Sequence, residues 1–531
     1  MAATTAPAPP VRGVPRTFDL REPGWLQRLP TWLTTGALLI VLTGLSAYVR
    51  TLFISGQFWM DEAITTGIAS HPLSQIPSVL RQDGSPPLFY LLLHFWIQAF
   101  GASETATHVL SLLFGLLTIP VGMWAGWSLF GRRAGVMAAI LFAFNAFLTR
   151  YAQETRMYEL MGLLGLVATT AFIHAFVFRR RAYLILFAVA EALMLYTHVW
   201  GVFFGLGAAI TLIPIWRATD DRRALVRDAI LAFGGAVVLF VPWLPNFVYQ
   251  ATHTGAPWAP PPRFGAPILI SRDLLGGDRI TFVLLIAVIA GLAPFATRRY
   301  RRTREATLLW TLIVLPLATL AVAWLISQVA PAFVSRYFAP VLASLLLLAA
   351  WGCARSGLIG WVAIVLTVIF ITHPSDYAPP YKSDMRDVGG EMAPLLRSGD
   401  LVISGQPEQL PLAWYYLPNG LRYANTLGPV SDPRHMDWVN ALNRLKQAGP
   451  SATLAPLLAS LKPGQRLLYV QPVTTIVSNW QAPWTQLVRR RSAQWGAILS
   501  DDPHLKAIAT APHYYRPFCC VANSAVLYQV T

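Results

Sequence analysis

Between Leu33 and Thr372 the chain repeats one pattern: an apolar stretch of about 16 to 25 residues, then a short polar connection. Wound as α-helices, such stretches cross a hydrocarbon core about 30 Å thick. The pattern predicts about eleven membrane-spanning helices, the first over Leu33 to Ile54 and the last ending near Thr372. A polar loop from Ser55 to Pro87 follows the first. The next apolar stretch, Leu88 to Phe100, is about 13 residues long, short for a span, and is expected to lie along the membrane surface. The second span then covers Ala106 to Phe130. From His373 onward Pro, Gly and charge return. Strand-like runs at Leu401 to Ser404, Leu467 to Gln471 and Ala525 to Val530 alternate with helix-like ones at Gly389 to Leu396 and Pro433 to Gln447, which predicts a small α/β domain. The expected organisation is a tail over 1–30, a polytopic α-helical membrane body over 31–375 and a soluble domain over 376–531.

Composition agrees. Hydrophobic residues make up 55% and charged residues 12% of the chain, with mean hydropathy +0.49, whereas soluble domains carry roughly a quarter charged residues. The net charge of +16 is not a nucleic-acid footprint, because the arginines sit in connections between apolar runs. The groups Arg132 and Arg133, Arg179 to Arg181, Arg217 to Arg227, and Arg298 to Arg304 all fall on one side if Leu88 to Phe100 does not span. By the positive-inside rule that side is the cytoplasm. The N-terminal tail is then cytoplasmic and the C-terminal domain extracytoplasmic. The tail lacks a short apolar core with a small-residue cleavage site, so a cleaved signal is not expected. All four lysines, Lys382, Lys446, Lys462 and Lys506, lie in the last third; with abundant Ala and Pro this suggests a GC-rich bacterial source and a plasma (inner) membrane location. Cys353, Cys519 and Cys520 form neither a disulfide framework nor a metal-ligand spacing.

Charged and aromatic residues gather at the outward helix ends. Phe58-Trp59-Met60-Asp61-Glu62-Ala63 puts two carboxylates beside aromatic rings, costly to desolvate unless paired or functional. The same loop carries Asp83 and Gly84-Ser85-Pro86-Pro87-Leu88-Phe89-Tyr90. The third span delivers Arg150-Tyr151-Ala152-Gln153-Glu154-Thr155-Arg156-Met157-Tyr158 to that side. Ser335-Arg336-Tyr337-Phe338-Ala339-Pro340 and Tyr196-Thr197-His198-Val199-Trp200-Gly201 end there too. Singly, an arginine here is an interfacial anchor and His198 a hydrogen-bonded structural residue. Together they suit an anionic lipid headgroup gripped by guanidinium groups, with a carboxylate at hand as base.

These motifs, with the Gly131 to Gly135 turn, resemble GT-C-fold glycosyltransferases of family 39, which include protein O-mannosyltransferases and aminoarabinose transferases. The resemblance covers residues 30 to 375. It implies a polyprenyl-phosphate-linked sugar donor used on the outer membrane face and a glycan, lipid or protein acceptor. The family's catalytic acids carry over to the Asp61-Glu62 pair, Asp61 accepting the acceptor proton in an inverting transfer. Arg156, Arg336 and Arg81 are the expected donor-phosphate residues, and Glu154, Tyr158, Tyr337 and His198 the expected substrate contacts. Mannose is favoured over arabinose. In one respect the chain departs: aminoarabinose transferases place a lysine before the paired prolines, where this chain has Ser85. No cofactor is expected, and a divalent ion among Asp61, Glu62 and Glu154 would need further ligands. A lipid-linked sugar transporter or flippase is the competing expectation, disfavoured because the span interiors are nearly free of charge, Glu191 being the main exception. A scaffold with a decayed site is disfavoured by the intact Asp61-Glu62 pair.

Overall fold

The computed structural model describes residues 31–292, 304–371, 382–512 and 522–531. The tail over 1–30, most of the 298–304 arginine group, the 375/376 boundary, Cys519 and Cys520 lie outside them.

After α1 (Thr31–Thr51), the first loop folds into α2 (Met60–Ala69), α3 (Ile76–Asp83) and α4 (Leu88–Phe100). Then come α5 (Glu104–Phe130), α6 (Arg132–Ala143), α7 (Ala146–Tyr151), α8 (Tyr158–Phe172, continued as a π turn to Val177), α9 (Ala182–Thr197), α10 (Gly201–Ala218), α11 (Arg222–Phe240), α12 (Leu244–His253), α13 (Ala266–Leu275), α14 (Asp278–Leu292), α15 (Arg304–Ser327), α16 (Ala339–Arg355) and α17 (Leu358–Ile371). Among the described residues seven helices are long and apolar enough to cross a membrane, eight if α13 and α14, bent by 87°, count as one span. The shorter apolar helices α9 and α17 and the 12-residue α6 lie where the remaining expected passes fall. The turn at Gly131 lets α5 and α6 lie almost backbone to backbone: a Cβ on Gly126 would sit 2.7 Å from the Ala134 carbonyl oxygen, and one on Gly135 2.8 Å from that of Met123. Small residues buy this approach where no water drives helices together.

Contacts between connections show that the passes alternate. Arg132 donates to Thr34 at the start of α1; Arg179, Arg181 and Arg227 surround Asp228; and Glu305 at the start of α15 meets Trp351 and Arg355 at the end of α16. The described arginine groups therefore share one end of the bundle. At the other end Arg336 reaches Asp61, His198 packs on Tyr337, and Gln250 donates to the carbonyls of Leu80 and Ser85. Glu191, the charge expected inside a span, is buried in the middle of α9. At the helix ends Arg50 and Glu159 are fully buried too and both flank Gly115, where a Cβ would lie 2.5 Å from Arg50 Nη1 and 2.7 Å from Glu159 Oε2.

The C-terminal domain has a six-stranded mixed sheet, β1 (Leu401–Ser404), β2 (Arg422–Asn425), β3 (Gly428–Val430), β4 (Arg466–Pro472), β5 (Leu505–Ala511) and β6 (Asn523–Val530), in the order β3-β2-β1-β4-β6-β5. Strand β1 runs parallel to β2 and β4, and the other pairs are antiparallel. Period-two alternation splits β4 between two faces. Leu468 and Val470 face α18 (Met385–Met392) and α19 (Leu410–Tyr416), while Leu467 and Tyr469 pack with residues of α21 (Ala455–Ala459) and α22 (Pro483–Asp501). Of the helix expected over Pro433 to Gln447, only α20 (Ala441–Gln447) forms. The preceding residues are pinned against the first loop, Trp438 N–H donating to the Gln82 carbonyl. Phe58 and Ala63 belong to the domain's own core, so sheet domain and first loop fold as one packed unit.

Candidate active site

The site grows from the first turn of α2. Trp59 N–H donates to Glu62 Oε2 at 3.2 Å, closing the helix start on itself. Asp61 and Glu62 point to different surroundings. The Asp61 side chain keeps 22% of its exposure and its Oδ2 lies 3.5 Å from Arg336 Nη2, at the helix end whose dipole favours an anion. Glu62 is fully buried: His108 Nε2 at 2.7 Å, Thr155 N–H at 2.8 Å and Lys382 Nζ at 3.0 Å all meet Oε1. Burial works against its charge, but Lys382 and His108 prevail and hold the carboxyl at about 2. Lys382 also donates to the Gln153 carbonyl.

Arg156 is buried and fixed from below by Ser111, whose hydroxyl donates to the Arg156 carbonyl at 3.0 Å. Its Nη1 donates to Thr65 Oγ1 and, at 3.3 Å, to the Asp61 carbonyl; Nη2 donates to Tyr158 Oη at 3.4 Å. The 3₁₀ turn Ser335–Phe338 presents Arg336, which sits 5.3 Å from the Trp59 ring, 6.0 Å from Tyr158 and 5.4 Å from Tyr337. Two guanidinium groups thus share one aromatic wall beside Asp61, held by cation–π attraction. His198 completes that wall, its ring 4.5 Å from Tyr337 and its Nδ1 accepting from Trp200 N–H. Burial, with Arg156 and Arg336 nearby, lowers it to about 3, leaving a neutral ring. Glu154 is buried with Oε2 unpartnered; burial pushes its carboxyl up. Arg81 is not part of this group by any described contact: it is exposed and stacks over Tyr249 at 3.9 Å.

Four groups join the site or support it without a sequence signal that singled them out. Asp83, at the end of α3, lies in electrostatic reach of Asp61 and Arg156, and burial lifts its carboxyl to about 6. Glu408 enters from the C-terminal domain, buried, accepting from Trp484 Nε1 at 3.0 Å and Gln406 Nε2 at 2.8 Å, with Oε2 unpartnered. Burial and, less strongly, Asp61 raise it. Lys382 and His108 are the others. Asp83 alone had a hint, being an acid in the same polar loop.

The arrangement offers an accessible carboxylate, two fixed cations, an aromatic wall and unpartnered buried acceptors, at the end of the bundle opposite the arginine groups. No protein-family model and no curated protein sequence matches the chain. Among solved structures, ArnT from Cupriavidus metallidurans bound to undecaprenyl phosphate is similar at TM-score 0.58 and 14% identity over 94% of this chain and 98% of that one. The archaeal oligosaccharyltransferase AglB from Archaeoglobus fulgidus, in complex with an inhibitory peptide and a dolichol-phosphate, aligns at TM-score 0.51 and 12% identity over 83% and 70%. The mycobacterial arabinofuranosyltransferase AftD aligns at 0.51 and 15% over 92% of this chain and 41% of that one. The chain therefore has the fold of these membrane glycosyltransferases, with a polytopic helical body and a C-terminal domain.

Proposed function

We propose that this chain is an inverting glycosyltransferase that moves a monosaccharide, mannose ahead of arabinose, from a polyprenyl-phosphate donor to a hydroxyl of an envelope glycan, glycolipid or protein. The transfer takes place on the outer side of a bacterial plasma membrane, with the N-terminus cytoplasmic. The observation that carries this reading is Asp61, a part-exposed carboxylate at a helix N-terminus, paired to Arg336 and backed by Arg156 at one end of a membrane bundle. The fold shared with ArnT, AglB and AftD, the first two with a polyprenyl- or dolichol-phosphate bound, supports it.

In this scheme the donor's apolar chain stays in the bilayer while its phosphate meets Arg156 and Arg336. Asp61 takes the proton as the acceptor oxygen bonds to the anomeric carbon from the face opposite the phosphate. The carbon–phosphate-oxygen bond breaks with its electron pair going to the phosphate, and the two guanidinium groups stabilise the growing charge. Arg81, stacked on Tyr249, is the third candidate for the phosphate. Tyr158, Tyr337, His198 and Glu154 border the sugar. Glu62 serves as a positioning residue, fixing the turn that aims Asp61. No cofactor enters the reaction.

The test is transfer by purified protein in nanodiscs, given radiolabelled polyprenyl-phosphate sugars and extracted envelope glycans. Consumption of one donor by the wild type and not by Asp61→Asn supports the reading. Full transfer by Asp61→Asn sinks the assigned base; donor binding without turnover, together with movement of labelled lipid across sealed vesicles, would favour the flippase.

A further inference from the structure

His71 ends the α2 segment on the side away from Asp61 and meets a loop of the C-terminal domain. Its Nδ1 lies 2.9 Å from the Gly67 carbonyl oxygen and its Nε2 2.7 Å from Asp432 Oδ2. Both ring nitrogens thus face oxygen atoms, an arrangement that a metal on Nε2 would reconcile. His435 stands beside it, ring centroids 5.7 Å apart. Its Nε2 is engaged by Gln82 at 3.3 Å, while its Nδ1 is buried and without a partner. One ligand atom from each of His71, Asp432 and His435 lies within 4.8 Å of the others.

We propose that His71, Asp432 and His435 bind a Zn²⁺ ion that clasps the C-terminal domain to the first loop. Two imidazoles and a carboxylate are a ligand set that suits Zn²⁺ and leaves a fourth position for water. The Gly67 carbonyl fixes the His71 tautomer with Nε2 free to ligate, the usual second partner of a metal-bound histidine. Asp432 can divide its oxygens: Oδ1 accepts from Arg434 N and Nε at 3.1 and 2.8 Å, while Oδ2 turns to the metal, giving up Arg434 Nη2 at 2.8 Å. The backbone already brings the two sides together, since a Cβ on Gly67 would lie 2.0 Å from the Arg434 carbonyl oxygen. No local spacing announces the site because His71 and Asp432 are 361 residues apart in sequence. The proposal is independent of the transfer reaction and of any ion among Asp61, Glu62 and Glu154.

The experiment is a calorimetric titration of ZnCl₂ into untagged, chelator-treated full-length protein in nanodiscs, with elemental analysis of the washed complex. One Zn²⁺ per chain and a higher unfolding temperature are expected. His435→Ala should weaken binding by more than about 100-fold, beyond the roughly 10–100-fold cost of losing an outer-shell partner. Arg434→Gln should tighten it, an effect no purely structural ion pair would give. Co²⁺ in the wild-type protein should show the intense visible bands of a tetrahedral ion, which covers the case in which a variant fails to fold. No uptake by the wild type, or unchanged stoichiometry and affinity in a folded His435→Ala protein, would overturn the site.

Discussion

Asp61 and Glu62 are neighbours in one helical turn, yet the region around Asp61 is a part-exposed aromatic mouth and the region around Glu62 is a sealed knot. The mouth is under-satisfied: its carboxylate faces one guanidinium at 3.5 Å, and Glu154 and Glu408 each keep an oxygen without a donor. In the knot, Glu62 is met by His108, Thr155, Lys382 and Trp59. A buried carboxylate so fully bonded has no lone pair to spare for substrate and resists movement. The difference teaches that an acid pair in sequence need not act as a pair: one member is kept free because the other is fixed.

The contrast can be broken from either side. The largest effect is expected for Asp61→Asn, with transfer falling by roughly 10²–10⁴-fold and the unfolding temperature unchanged, checked by single-turnover assay beside thermal unfolding. Lys382→Met should do the reverse kind of damage. It strands a buried carboxylate and should cost about 3–5 kcal/mol of stability, read by denaturant or thermal unfolding. Next, Arg336→Lys replaces a planar guanidinium packed among Trp59, Tyr158 and Tyr337 with a point charge; a drop in transfer of about 10²-fold is expected, with donor affinity measured separately. Gly115→Ala drives a methyl against Arg50 and Glu159 and should destabilise the bundle by about 1–3 kcal/mol, with the chemical step in bound donor unaltered.

The smallest effect is in pH. Glu62, held at about 2 against an ordinary 4.5, gives stability that is present above about 4.5 and lost as pH falls toward 2. Asp83, raised from 3.8 to about 6, has the opposite sign: folding favours its protonated form, so its contribution fades as pH rises from about 3.8 to 6. Unfolding temperature against pH should therefore lose its acid decline in Glu62→Gln and its decline across the range from about 4 to 6 in Asp83→Asn. Identical profiles for wild type and both variants would remove the electrostatic distinction between the two regions.

What could be read in the sequence was what repeats or clusters locally. The apolar runs predicted the passes, although α6 and α9 are shorter than a full crossing. Alternation placed β1, β4 and β6 within a few residues. The motifs bearing Asp61, Arg156, Tyr158, His198, Arg336 and Tyr337 do converge, because each stands at a helix end on the same side. Arg81 is in the right loop but turned to Tyr249. Long-range partners left no trace: Lys382 joins Glu62 across 320 residues, and Glu408 approaches Asp61 only once the domain has docked. The over-long helix predicted near Pro433 failed for the same reason. Tertiary pinning over 432–438 overrides local propensity, and α20 starts only after Asn440, held at φ 50°.

Phe58 and Ala63 lie in the core of a domain synthesised hundreds of residues later, and the cation that neutralises Glu62 arrives with it. The first loop therefore remains unfinished until the last third of the chain has followed. Completion of the site is tied to completion of the chain: a prematurely released polypeptide with every transmembrane pass intact would lack the groups that fix the turn bearing Asp61.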